Sequence, residues 1–162
     1  MLTEAKITPQ MQQNITLSLY LIFLLAASIS DVRSYRLPNW LMGTGFIVGV
    51  SLSSFFGGVG GLQLSLLGAL AGLLPFFILF ALRLWGAGDA KFMGAIGSFI
   101  GPEGILFALF YGAIAGGVLS GVLWVTAKPS EDRKKKKVPY GVALAAGGVI
   151  AWLRCGFVGG TI

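Results

Sequence analysis

Six carboxylates are all the acid–base equipment in this chain: Glu4, Asp31, Asp89, Glu103, Glu131 and Asp132. There is no histidine and a single cysteine, Cys155. Ser-His-Asp and Cys-His schemes therefore fall away, as do imidazole metal sites, thiolate zinc clusters and an internal disulfide. What remains is chemistry that two carboxylates do together. Two carboxylates sharing a site do not both ionise readily, which leaves one acid and one base. The charged one draws a proton from water, while the neutral one hydrogen-bonds a carbonyl and then protonates the leaving group. Such a pair needs no metal and no cofactor, and none is expected.

Asp31 and Asp89 are the two that fit. Asp31 ends an apolar run and Asp89 precedes one. Around the second, Gly86-Ala87-Gly88-Asp89-Ala90-Lys91 places glycines on both sides of Ala87. These let a backbone approach the aspartate closely, as a bound extended peptide requires. After the first, Leu37-Pro38-Asn39-Trp40 turns the chain and restarts a helix. Lys91 has three readings: it tunes Asp89, it binds substrate, or it is an ordinary topology-setting lysine. The plainer alternative for the aspartates is a solvated interfacial pair with Arg33 or Lys91, with Asp89 capping the helix that follows.

Composition says what must position them. Apolar residues make up 56% and charged residues 11%, against roughly 25% charged in soluble domains. Mean hydropathy is +0.84. A chain of 162 residues cannot hide that much apolar surface from water, whereas a bilayer can take it. Apolar segments fall at Ile15–Ser30, Trp40–Phe56, Leu62–Leu84, Ala90–Ile100, Gly104–Ala127 and Val138–Phe157. The pattern predicts an all-α polytopic membrane bundle of about six transmembrane segments, a single domain over 1–162. A polar tail covers 1–14 and a basic loop 128–137. The tail carries Glu4 and Lys6 and lacks the basic start of a cleavable signal, so the first run is expected to remain as a helix. The fourth segment is too short to span unaided. Gly57–Gly61 and Gly101–Gly104 read as turns.

All basic residues but Lys6 and Arg154 fall in three loops: Arg33 and Arg36; Arg83 and Lys91; Lys128 and Arg133 to Lys137. The positive-inside rule makes those loops cytoplasmic, with both termini on the other side. The net charge of +6 then reflects topology, and no nucleic-acid partner is expected. Both aspartates lie at cytoplasmic helix ends. Gly112, Gly116, Gly117 and Gly121 are spaced for close helix approach, and Pro75 is expected to kink the third segment. Trp40, Trp85 and Trp152 read as interfacial aromatics, and Glu103 as solvated on the far face.

Taken in order, the Asp31…Pro38-Asn39 stretch, Gly86-Ala87-Gly88-Asp89 and Val138-Pro139-Tyr140-Gly141 resemble the type IV prepilin peptidases, within the GxGD intramembrane aspartyl proteases. The resemblance runs from about Ile22 to Ile150. It implies a catalytic pair at Asp31 and Asp89, with Gly86, Gly88, Lys91, Pro38 and Asn39 as motif and supporting residues. It implies cleavage of the basic leader of pilin-like precursors at the cytoplasmic face of the inner membrane, so the partners are that precursor and the lipid bilayer. Many members also methylate the new N-terminus and carry an N-terminal region, often with a four-cysteine zinc site. Neither is found here, so the chain resembles the short form associated with Flp/Tad-type pili or archaeal preflagellin-type substrates, and methylation is not expected. Two other classes stay open: a small transporter or channel subunit, and a non-catalytic scaffold. A transporter would favour midplane acids and internal repeats, which the sequence does not display.

Overall fold

The structure, a computed structural model, describes residues 8–34, 36–82, 86–126 and 140–157. These form four helices: α1 (Pro9–Ser34), α2 (Asn39–Ala81), α3 (Ala87–Val125) and α4 (Tyr140–Cys155). The all-α expectation holds. The helices α1, α2 and α3 are long and apolar enough to cross a membrane, and α4 is a shorter apolar helix. A count of about six separate spans is not supported. The second expected segment and the third as far as Ala81 lie in α2, and the fourth and the fifth as far as Val125 lie in α3. The basic loop at 128–137, Arg83, Trp85 and residues 1–7 of the polar tail fall outside the described residues.

The reason lies in the glycine-rich stretches read as turns. Each contains one non-helical residue, Gly58 (φ 57, ψ −143) in α2 and Gly101 (φ 70, ψ −176) in α3. Only a residue without Cβ enters that region cheaply. The helical ladder resumes on either side, so each break is a hinge rather than a loop. Pro75, expected to kink its helix, sits within helical dihedrals.

The hinges fold both helices back on themselves. The hydroxyls of Ser53 and Ser65 both donate to the Ser98 carbonyl oxygen, at 3.2 and 2.7 Å. Along a straight α2 those serines would stand about 18 Å apart. Likewise, a Cβ on Gly72 would touch both the Met93 backbone and Ile105. Those two residues share a neighbour only because α3 turns back at Gly101. The serine hydroxyls are buried and satisfied, and Ser98 itself donates to the Ala95 carbonyl at 2.7 Å.

The arm of α3 from 87 to 100 forms the centre of the bundle. Phe92, Met93, Ile96 and Phe99 are fully buried. The segment that is too short to span is thus the one enclosed by all the others. Small residues let the helices come close around it. Cβ atoms on Gly68 and Gly97 would each run into the other's strand of backbone, as would one on Gly147 into Ala108 and Gly112. Gly112 and Gly116 do face α4, as their spacing predicts, whereas Gly117 and Gly121 face open space. Trp152 is not an interfacial aromatic. It is buried and stacks on Tyr20 at 5.0 Å, because α4 lies between α1 and α3 with that face turned inward. The outward faces carry Ile22, Leu25, Ile47, Leu106 and Phe110, all exposed. That surface suits lipid.

Candidate active site

The fold-back brings many helix ends to one end of the molecule: the last turn of α1, the first turns of α2, α3 and α4, and the last turn of α2. Asp31 sits in the last turn of α1 and is only 7% exposed. Its Oδ2 accepts the backbone N–H of Gly141 at 2.7 Å, and Val142 N–H also donates to the carboxylate. Gly141 and Val142 open α4, where the first-turn N–H groups lack helical partners. The helix therefore offers its positive end to the aspartate of another helix. Gly141 is required by this contact. A Cβ there would lie 2.8 Å from Oδ2 and 3.0 Å from Cγ of Asp31.

Asp89 stands in the first turn of α3, half-buried. The N-cap is Gly86, in extended conformation and without a side-chain capping bond. Asp89 lies beyond the cap, so the capping alternative does not describe it. Its backbone N–H closes a turn to the Gly86 carbonyl at 3.2 Å.

Both aspartates line one polar cavity of about 290 Å³, together with Arg36, Leu37, Gly86, Gly88 and Tyr140. Gly86 and Gly88 have room: added Cβ atoms would come no nearer than 3.4 Å to Asp89 Oδ2 and 3.5 Å to Leu37. Their lack of side chains widens the cavity mouth rather than serving the packing.

The supporting residues tie the site together. Pro38 is the N-cap of α2, and its carbonyl accepts the N–H groups of Leu41 and Met42 at 3.1 and 3.2 Å. Asn39 opens that helix, and its Oδ1 accepts a bond from Lys91 Nζ at 2.8 Å. This bond joins the Pro-Asn motif to the Gly-x-Gly-Asp motif. Ser30 Oγ donates to the Arg36 carbonyl at 3.0 Å, which holds the chain leaving α1 against its last turn. Lys91 and Asn39 do not line the carboxylate cavity. Glu103 is exposed, away from the site.

Sequence reasoning gave no site role to five contributors. Arg36, Leu37 and Tyr140 line the cavity, and the Gly141 and Val142 N–H groups hold Asp31. Tyr140 is itself held from behind by Ser120, whose hydroxyl donates to the phenolic oxygen at 3.1 Å. The Tyr140-Gly141 pair in an apolar setting was the available signal. Among the described residues, no cluster of His, Cys, Asp or Glu could hold a metal ion.

Residues 18–121 match the model of the type IV leader peptidase family, and the chain belongs to that family. A curated relative, the prepilin leader peptidase/N-methyltransferase of Bacillus subtilis (strain 168), is 24% identical over 136 residues, which is 83% of this chain and 53% of the relative. The chain thus spans about half the length of the curated relative it matches. No solved structure matches it.

Proposed function

We propose that this member of the type IV leader peptidase family is a membrane aspartic endopeptidase whose acid–base pair is Asp31 and Asp89. The reading rests on one observation above all: the two aspartates, far apart in sequence, line the same polar cavity at the end of the bundle. A peptide bond entering there meets two carboxylates and room for water. One carboxylate takes a proton from that water as its oxygen bonds to the scissile carbonyl carbon. The other donates a hydrogen bond to the carbonyl oxygen, and its proton ends on the leaving nitrogen as the C–N bond breaks. The Gly141 and Val142 N–H groups fix the Asp31 carboxylate so that it faces the cavity.

The proposed substrates are pilin-like precursors of the Flp/Tad type, cut between a basic leader and an apolar helix. Arg33, Arg36 and Lys91 all lie at the site end, so the positive-inside rule turns that end to the cytoplasm. Each arm on either side of Gly58 and Gly101 would then cross or enter the membrane. The decisive experiment is cleavage of a pilin-like precursor in membranes by the unmodified protein, Asp31→Asn and Asp89→Asn. Loss in both, with expression unchanged, supports the shared pair. Cleavage surviving either substitution removes that aspartate from the chemistry.

A further inference from the structure

A second, larger cleft of about 570 Å³ opens on the flank of the bundle, between the two arms of α2 and the first arm of α3. Asn39 and Lys91 stand at its mouth. Phe46, Leu66 and Leu70 wall it, each exposed although wholly apolar. Its floor is Ala69, Gly94 and Ala95, small residues that let an approaching helix come close to backbone. From Asn39 to Phe46 it follows α2 for about 10 Å, roughly two helical turns. Size, shape and lining are those of a binding groove for an apolar helix.

Two features identify the occupant. The first is continuity with the carboxylate cavity. Leu37 and Gly88 line that cavity, and a Cβ on Gly88 would touch Leu37. Lys91 lies one turn beyond Gly88 on the same helix face, and Asn39 follows Leu37 after one residue. The groove thus begins where the cavity stops. The second is charge. Lys91 Nζ is held by the neutral oxygen of Asn39, and among the described residues no carboxylate pairs with it. An ammonium has three donors. Two remain for an acidic group on whatever fills the groove.

We infer that this groove seats the apolar helix following the scissile bond of the precursor, and that Lys91 receives a carboxylate carried in the first two turns of that helix. The inference rests on the peptidase reading for the identity of the occupant, but its physical claim is about binding. Asp89 acts at the bond to be cut; Lys91, one turn beyond Gly88 along α3, sets which helices are admitted.

The test uses a synthetic precursor with a basic leader, an apolar segment of about 20 residues and one glutamate in its first two turns. Protein and probe are combined in phosphatidylcholine vesicles. A benzophenone amino acid replaces Leu70 in the groove or Val118 on an exposed face elsewhere, each in an Asp89→Asn background so that the probe is not consumed. The expected result is an adduct with the apolar segment from position 70 and none from position 118. Equal adducts from both, or an adduct at 70 only with phosphatidylglycerol when that lipid is supplied, would overturn the inference, the latter in favour of a lipid site.

Activity gives an independent arm. A Cβ on Gly43, in the groove, meets nothing within 4 Å, so Gly43→Leu fills the cleft without moving the fold. It is expected to raise KM for the full probe about tenfold with kcat kept. Its effect on a leader peptide lacking the apolar segment should be nil. Lys91→Glu should raise KM for the glutamate probe and be rescued by a probe carrying lysine instead. Unchanged KM in Gly43→Leu overturns the groove. Cross-linking at position 70 without hydrolysis by the unmodified protein keeps the groove and discards the peptidase; hydrolysis with no adduct at 70 does the reverse.

Discussion

Asp31 in the last turn of α1 accepts the backbone N–H of Gly141, the start of α4, at 2.7 Å. One side chain therefore both faces the cavity and ties the first helix of the bundle to the last. The two roles separate by substitution. Asp31→Asn keeps an acceptor oxygen and loses the acid–base function; Asp31→Ala loses both. Both should lower precursor cleavage by about 10²-fold or more. Only the alanine variant should also lose stability, by about 1–3 kcal/mol, because it orphans buried N–H groups. Thermal unfolding in detergent separates them, and an unchanged melting point for Asp31→Ala would show that the tie contributes little.

Asp89 makes no such tie, and its environment is half open. Asp89→Asn should abolish cleavage to the same degree while changing stability by less than about 0.5 kcal/mol. A large drop in stability would mean that Asp89 is a structural residue of the α3 start rather than one half of the pair.

The three glycines around the site should behave differently. Gly141→Ala puts a methyl against the Asp31 carboxylate and should displace it, costing both activity and stability. Gly86→Ala and Gly88→Ala meet only ordinary contacts. They should fold normally yet raise KM, since the space they fill is where a peptide backbone would lie. Equal loss of stability across all three would contradict this division.

Close helix crossings give a stability series remote from the chemistry. Gly97→Ala and Gly147→Ala drive a methyl into facing backbone, which costs about 1–3 kcal/mol. Gly117→Ala and Gly121→Ala face open space and should be neutral or slightly stabilising, because alanine is the better helix former. Melting temperatures of the four variants check the order.

The aspartates were legible because carboxylates are scarce in this sequence and one of them sits in a glycine-flanked motif. The donors to Asp31 were not, because a backbone N–H has no sequence signature of its own; only the Tyr140-Gly141 stretch hinted at them. Leu37 and Arg36 look like any residues between two helices until Ser30 and Pro38 fix the path of the chain. The all-α membrane character followed from composition. The number of helices did not, because a glycine run that hinges a helix and one that ends it read alike. Trp152 shows the same limit: its position near a helix end fits an interface, and only packing against Tyr20 places it inside. Lys91 kept three readings in the sequence, and none of them shows its partner; the bond to Asn39 is seen only once the two motifs are folded together.

The hinges at Gly58 and Gly101 give the molecule two unlike poles. At one, helix ends gather around the carboxylate cavity. At the other, the described chain reverses twice with no slack, and α4 ends beside the start of α1, where a Cβ on Gly156 would lie 3.9 Å from the Gln13 side chain. Insertions at the two hinge glycines themselves should be refused. New specificity within this architecture therefore has one end of the bundle on which to arise.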